Sequence, residues 1–219
     1  MRALPLALLA FVLSGCANCH SSDASAGASV DAAPRTCEPS PAHAPLEAFE
    51  LTEIHLVSVD VGDAFEERGI PIVIGESAIS AGSPLHVVAQ SASLRPRKAD
   101  PSLAAAIPKD THSVTLYVDR RVDYETLSRV FFTLGFVGIQ ELVFALDSPG
   151  GRVSLASCQG VASAAPNVPT WDLRSAAPLG AVVRLRPAPT TPFTDVAQGL
   201  ATLRQRSPST DVAFGVPAP

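Results

Sequence analysis

Residues 114–146, VTLYVDRRVDYETLSRVFFTLGFVGIQELVFAL, carry the pattern of a strand, a turn, a helix and a second strand. Apolar and polar residues alternate from Val114 to Asp119, which is typical of a half-buried strand. Residues 142–146 form a short apolar run, which indicates a buried strand. Two strands that are joined by a helix are expected to lie parallel and side by side in one sheet.

The residues between these strands predict one amphipathic helix. Asp123 has a side chain suited to a helix N-cap, and Gly135 stands where a glycine commonly ends a helix. Between them, apolar residues recur at spacings of three and four, and they therefore share one face of the helix. This stripe consists of Leu127, Val130, Phe131 and Leu134.

The same pattern recurs near the C terminus in a gapless alignment that places Tyr124 opposite Phe193. Thr191 and Pro192 predict the N-cap and the first residue of a second helix. Its apolar stripe consists of Phe193, Val196, Leu200 and Leu203. The sequence therefore predicts an α/β (α+β) fold of small βαβ modules, duplicated in one chain. Chance agreement of two βαβ units is the alternative.

Shorter elements are expected in the rest of the chain. Alternating or β-branched runs predict strands, and Asp100 followed by Pro101 predicts the start of a helical turn. The expected strands are residues 51–61, 70–74, 85–89, 153–157 and 212–216, and the helical turn covers residues 102–107. Residues 162–178 are expected to be mostly irregular around Trp171.

The turn after the first strand, Asp119-Arg120-Arg121-Val122-Asp123-Tyr124-Glu125, resembles a motif of the ExbD/TolR biopolymer-transport family. In the periplasmic domain of that family, a strand ends in an Asp-Arg-x-Val-Pro-Tyr-Gly type turn that opens a helix. Asp119, Arg120, Val122 and Tyr124 match the motif, whereas Asp123 and Glu125 replace its proline and glycine. The resemblance marks the four matching residues as an interaction turn.

The resemblance implies a domain that dimerises and that contacts the cell wall or partner envelope proteins. A homodimer, peptidoglycan and envelope proteins are therefore the expected partners. Members of the family also have an N-terminal membrane helix with an aspartate in the proton path, but residues 3–13 contain no carboxylate here. We therefore expect a binding or scaffolding subunit, an accessory of a biopolymer-transport or cell-wall-linked complex, and no proton-driven transport by this chain alone.

The N terminus has the organisation of a lipoprotein signal peptide. Arg2 supplies the positive charge, and the apolar residues 3–13 would form a helix of about 16 Å, too short for a hydrocarbon core of about 30 Å. Leu13-Ser14-Gly15-Cys16 resembles the lipobox, at which cleavage exposes a cysteine for acylation by chains such as palmitate. Cys16 is therefore expected to anchor a periplasm-facing protein to a membrane. Ala17 favours the outer membrane over the inner one.

The segment Cys16-Ala17-Asn18-Cys19-His20 also has the spacing of a c-type haem attachment site. Haem would need the sulfur atoms of Cys16 and Cys19 and the ring of His20. Lipidation uses the sulfur of Cys16, and the only methionine is the initiator, so no methionine could be the second axial ligand. The haem interpretation is therefore rejected, and no cofactor is expected.

Four segments follow from these signals. Residues 1–15 are assigned to the signal peptide, and residues 16–45 to a disordered tether in which Val30 is the only bulky aliphatic residue. Residues 46–148 are assigned to the ExbD/TolR-like module, and residues 149–219 to a second, degenerate βαβ module. After lipidation, Cys19, Cys37 and Cys158 remain, and the sequence leaves open whether Cys37 and Cys158 are bridged.

Composition and motifs favour binding over catalysis. The formal charge is −5 and aromatic residues make up 5% of the chain, which argues against nucleic-acid binding. The histidines lack the spacing of a metal site, and no nucleophile motif is found, so no metal, no catalytic residue and no enzymatic activity are expected. The alternatives are a regulatory module that binds a small molecule between the copies, and a hydrolase with a nucleophile and a base within hydrogen-bond reach.

Overall fold

The computed structural model describes residues 54–158, 168–178 and 180–215. These residues form two sheets and three helices, so the mixed α/β fold class predicted from the sequence is confirmed. The signal peptide, Cys16, Cys19, His20, Cys37 and the tether lie outside the described residues.

The first sheet has seven strands and mixed directions. Its strands are β1 (Asp63–Ala64), β2 (Ile70–Ile74), β3 (Ala78–Ala81), β4 (His86–Gln90), β5 (Ser113–Val118), β6 (Glu141–Ser148) and β7 (Gly151–Cys158). They lie in the order β1-β7-β6-β5-β2-β3-β4. Strands β2, β5 and β6 are parallel, and the neighbours on either side pair antiparallel.

The second sheet is smaller and wholly parallel. Its strands are β8 (Thr170–Trp171), β9 (Val182–Leu185) and β10 (Asp211–Phe214), in the order β10-β9-β8. The three helices are α1 (Pro101–Ala106), α2 (Tyr124–Phe136) and α3 (Phe193–Arg206). Helix α2 joins β5 to β6, and α3 joins β9 to β10, so each sheet contains one βαβ unit of adjacent parallel strands.

The local elements follow their sequence signals closely. The Asp123 side chain caps α2, since its Oδ1 accepts from Thr126 N at 2.8 Å. Asp100 caps α1 in the same way, accepting from the backbone N–H groups of Ser102 and Leu103. The predicted apolar stripes of α2 and α3 are buried along their whole length, which satisfies the amphipathic pattern.

Several expectations about element boundaries are wrong. Thr191 does not cap α3, because the helix begins one residue later, after Pro192, and has no side-chain cap. Residues 54–61 form no regular strand and have a single bridge, a parallel one from Ser58 to Asp147 near the end of β6. Strands β1, β3 and β8 were not predicted. Strand β7 falls in the range assigned to the second module, yet it pairs with β6 of the first sheet over its full length.

The end of α2 differs from the expectation at Gly135, which lies inside the helix. The glycine beyond the C-cap is Gly138, with φ +94°, a left-handed conformation that residues with a Cβ rarely adopt. Ile139 N donates to Leu134 O at 3.0 Å and Gly138 N to Gly135 O at 3.2 Å, the two bonds of a Schellman motif. Gly138, and not the predicted Gly135, therefore turns the chain at the end of α2.

Gly138→Ala is expected to lower the free energy of unfolding by about 1 kcal/mol, because alanine is strained at this φ. No atom lies within 4 Å of the position that a Cβ would take, so the cost arises from the backbone conformation alone. Gly150→Ala is the matched control, since its added Cβ also meets nothing within 4 Å and its φ is not positive. Urea denaturation of both variants measures the difference, and equal stabilities would contradict the helix-end assignment.

The core lies between the first sheet and the helices, and it continues into the second sheet. The opposite face of the first sheet, here called the back face, is partly covered by residues 54–69, here called the strap. Phe65 of the strap packs on the back face near Val73, Tyr117 and Ala145. The strap therefore gives the first sheet a second, smaller apolar layer.

Candidate functional site

The predicted interaction turn lies at the C-terminal end of β5, where the strap meets the sheet. Asp119 is the first residue after β5 and is only 1% exposed. Its carboxylate accepts from His55 N and from Arg121 N, each at 2.9 Å, and from Arg121 Nε at 3.0 Å. The carboxylate thus fastens the start of the strap and the following turn to the end of β5.

These bonds control the charge of Asp119. Burial disfavours the ionised form, but the Arg121 side chain, the two backbone N–H groups and the Arg121 charge outweigh it and lower the pKa of Asp119 to about 2. The His55 ring lies beside the same carboxylate, with Nδ1 3.6 Å from Asp119 Oδ2. Asp119 is therefore ionised at any physiological pH.

Arg120 and Arg121 have different roles although they are neighbours in sequence. The Arg121 side chain bridges the buried Asp119 and the half-exposed Glu76, to which its Nη1 lies 3.1 Å away. The Arg120 backbone joins two segments, because its N–H donates to His55 O at 2.8 Å and its O accepts from Thr194 Oγ1 at 3.0 Å. Arg120 itself is exposed, so a partner molecule could reach its side chain.

Tyr124 is buried and joins the two βαβ units. Its hydroxyl oxygen lies 2.7 Å from Gly215 O and 3.1 Å from Leu185 O. Gly215 directly follows β10, and Leu185 is the last residue of β9. Burial raises the pKa of the hydroxyl well above its usual range, against the smaller effects of the Arg186 charge and the bond to Gly215. The hydroxyl therefore stays protonated and donates, although its single hydrogen serves one carbonyl at a time.

The N termini of α2 and α3 cap each other. The first N–H groups of a helix have no partner inside it and need one outside. Tyr124 N donates to Thr191 O at 2.8 Å, and Phe193 N donates to Val122 O at 2.8 Å. In the next positions, Glu125 N donates to Pro189 O at 2.9 Å, and Thr194 N donates to Arg120 O at 3.3 Å.

These four bonds are related by the alignment of the two βαβ units. The alignment that places Tyr124 opposite Phe193 also places Val122 opposite Thr191, so exchanging the two units converts the first bond into the second. The same exchange converts the third bond into the fourth, and the antiparallel bridge between Asp123 and Pro192 maps onto itself. The two turns therefore meet about an approximate two-fold axis at that bridge.

The strand register breaks this symmetry slightly. In the first sheet, Val114 of β5 pairs with Leu142 of β6. The repeat places Val183 and Asp211 opposite these two residues, yet Val183 pairs with the next residue, Val212. The two βαβ units therefore correspond element by element, but their closing strands differ in register by a single position.

An aromatic cluster lies beneath the joined turns. Phe131 and Phe144 come from the first βαβ unit, and Phe193 and Phe214 come from the second. Ring centroids are 4.8 Å apart for Phe131 and Phe214, and 5.7 Å apart for Phe144 and Phe193. Such pairs add to the energy of burial, so the joint combines an apolar interior with a hydrogen-bonded rim.

The four motif residues therefore meet at one place but have different exposures. Asp119, Val122 and Tyr124 are buried in contacts within the chain, whereas Arg120 is exposed. A partner could contact the Arg120 side chain directly, while the other three fix the shape of the turn.

Two buried polar contacts of the strap were missed by sequence reasoning. Glu67 accepts a hydrogen bond from the Tyr117 hydroxyl, and Glu141 Oε1 accepts from Arg68 Nη1 at 2.9 Å. The partners are 50 and 73 positions apart, so no local pattern identifies them. One local sign of such a contact was present in the sequence, which is the charged Glu141 at the start of the apolar run of β6.

A cavity between β6, β7, α3 and β10, lined by Phe144, Ser157 and Leu203 among others, has a volume of about 20 Å³. In residues 54–158, 168–178 and 180–215, no group of three or more His, Cys, Asp or Glu side chains is placed to hold a metal ion. Within the same ranges, no helix has both the length and the hydropathy that crossing a membrane requires.

Comparison with protein-family models, with curated proteins and with solved structures found no match to this chain.

Proposed function

We propose that this chain is a lipid-anchored, periplasm-facing binding or scaffolding protein with an ExbD/TolR-like body, built from two copies of one βαβ module. Cys16 would hold it to a membrane, the outer one in preference to the inner, and the tether would let the body stand away from the surface. Its partners would be envelope proteins of a biopolymer-transport or cell-wall-linked complex. The proposal does not include catalysis or a bound cofactor.

The single observation that carries the binding role is the position and sequence of β4 at the edge of the first sheet. This strand ends the first sheet, and its sequence, His86-Val87-Val88-Ala89-Gln90, contains no lysine, arginine, carboxylate or proline. Charges and prolines are the usual protection of edge strands against further pairing. An extended segment of a partner can add to such an edge through backbone hydrogen bonds.

The other sheet edges are less suited to this role. Strands β1 and β8 have two residues each. At β10, the backbone N–H of Val212 donates to Asp211 Oδ1 at 2.8 Å, and its carbonyl accepts from Ser157 Oγ. These bonds occupy two of the backbone groups with which an added strand would pair.

A small-molecule function has less support. Sites for small ligands commonly have volumes of about 300–1,000 Å³, whereas the cavity beside Phe144 has about 20 Å³.

The β3–β4 ladder is irregular between Ile79 and Ser80, and a bulge of this kind shortens the regular part of an edge. The proposed contact is therefore short and reversible rather than permanent.

Site-specific photocrosslinking in intact cells tests the proposal. A photocrosslinking residue in place of Gln90, which is exposed on β4, is expected to trap a periplasm-facing envelope protein. The matched control carries it in place of Gln198, exposed on α3, and is expected to trap much less of that protein. Equal trapping at both positions, or trapping of cytoplasmic proteins alone, would contradict the proposal.

A further inference from the structure

The back face of the first sheet is left partly open beside β4. Val87 pairs with Ser80, and Ser80 pairs with Val73, so the three side chains lie in one row on the same face. Val73 is buried under the strap, but Val87 is 59% exposed and is one of two large apolar residues with such exposure among the described residues. Ile54 and Leu85 pack against the same cluster and are only partly buried.

Ile54, Leu85 and Val87 are here called the apolar patch, and Ile54 is the first residue that the structure describes. A Cβ added to Gly75, in the turn between β2 and β3, would lie 3.4 Å from Ile54 Cδ1. Ile54 and Leu85 both pack against the cluster of Val73, Tyr117 and Ala145 on the back face. Residues 46–53 are therefore connected to the patch through Ile54.

Residues 46–53, LEAFELTE, have the chemistry that the patch requires. Leu46, Phe49 and Leu51 are the first cluster of bulky apolar side chains after the tether, in which Val30 is the only bulky aliphatic residue. Leu51 precedes Ile54 by three positions, a reach of about 10 Å in extended chain. Two strand spacings, from β2 to β4, also measure about 10 Å.

We propose that residues 46–53 of the same chain dock on this patch and cover Val87, with Phe49 and Leu51 as the apolar contacts. Burial of these side chains supplies the driving force. Strand β4 carries no carboxylate, so the glutamates of the docking segment meet no like charge there. Docking would leave the tether to end before residue 46 and would keep the back face from contact with other molecules. The proposal does not rest on the lipid anchor or on the partner at the β4 edge.

Photocrosslinking in the full-length chain identifies the occupant. With p-benzoylphenylalanine in place of Phe49, we expect crosslinks within one chain to residues 85–88. A mixture of isotopically light and heavy chains separates the outcomes, because a second copy would give light–heavy products. Such products, crosslinks to another protein, or crosslinks that avoid residues 85–88 would each overturn the proposal. The same photocrosslinking residue in place of Val30 is the control and is expected to give no crosslink to β4.

Hydrogen exchange provides a readout that does not depend on crosslinking. The double substitution Phe49→Ser and Leu51→Ser is expected to raise the exchange rate of the amides in residues 85–88 about tenfold, through the loss of burial. Val30→Ser is the matched control and should leave those amides unchanged. The patch variant Val87→Ser should in turn increase exchange in residues 46–53. Unchanged exchange in both regions would overturn the proposal.

Discussion

Tyr124→Phe is expected to lower the free energy of unfolding by about 1–3 kcal/mol, because the carbonyls of Leu185 and Gly215 lose the hydroxyl that donates to them. The phenyl ring of the variant fills the same space, so this loss isolates the hydrogen bond. Tyr124→Ala also removes the buried ring and is expected to cost about 3–5 kcal/mol, the usual range for an aromatic residue deleted from a core.

Trp171 allows the effect to be assigned to the second sheet. It is the only tryptophan of the chain and is buried in β8. In the wild-type protein, urea unfolding followed by Trp171 fluorescence and by far-ultraviolet circular dichroism should coincide, since both sheets share one core. In Tyr124→Ala, the fluorescence transition should come at lower urea than the main circular dichroism transition.

Tyr117→Phe is the matched comparison for Tyr124→Phe. Its hydroxyl donates to Glu67 of the strap, on the back face of the first sheet. Its loss should raise hydrogen exchange in the strap, whereas Tyr124→Phe should raise exchange in β9 and β10. If both variants loosen the same region, the role of Tyr124 as the link between the two βαβ units is wrong.

Asp119→Asn is expected to have the second large effect, a loss of about 2 kcal/mol of stability at neutral pH. The pKa of Asp119 is lowered from 3.8 to about 2, and a shift of this size corresponds to about 2 kcal/mol favouring the ionised folded state. Asparagine keeps one acceptor oxygen but loses the charge that Arg121 contacts. The backbone amide hydrogens at the start of the strap, which is held through His55 N, should therefore exchange faster with solvent.

The same pKa predicts the pH dependence with a definite sign. A carboxyl group whose pKa is lower in the folded than in the unfolded state contributes its full stabilisation above the unfolded value, near 4. That contribution should disappear as the pH falls from about 4 to about 2, through the folded pKa of Asp119. Asp119→Asn should consequently lose stability less steeply than the wild type across this window.

Asp60→Asn is the control for both readouts, because Asp60 is an exposed carboxylate on the same strap. Its free energy of unfolding at neutral pH should match that of the wild-type protein. The change of that free energy between pH 4 and 2 should match as well. A wild-type stability that does not change across that window, or an Asp119→Asn protein as stable as Asp60→Asn, would contradict the assigned role of the carboxylate.

The sequence predicted the elements whose signals are local. Alternation identifies β5, an apolar stripe identifies α2, and a short apolar run identifies β6. The caps Asp100 and Asp123 mark helix starts. Each of these signals lies within a few neighbouring residues. Strand β3 is short, Ala78–Ala81, and half of it is alanine, so it carries little strand propensity. Alternation predicted a strand over residues 51–61, but residues 54–61 of the strap form only a single bridge, to the end of β6.

The site could be predicted only in part for a different reason. Asp119, Arg120 and Val122 lie between β5 and α2, and Tyr124 is the first residue of α2. Their partners are distant in sequence, since the carboxylate of Asp119 binds a residue 64 positions away and the Tyr124 hydroxyl reaches residues 61 and 91 positions away. The mutual capping of α2 and α3 uses backbone atoms, which side-chain patterns do not encode.

The proposed function requires the body to be held at a membrane, and mass spectrometry of the N-terminal peptide from the extracted protein tests this most directly. The expected result is a mature chain that begins at Cys16 and carries acyl chains on that residue. Cys16→Ser should yield an unacylated chain, since serine offers no sulfur for the lipid. A wild-type protein that retains Met1, or a mature Cys16 without acyl chains, would contradict the proposal.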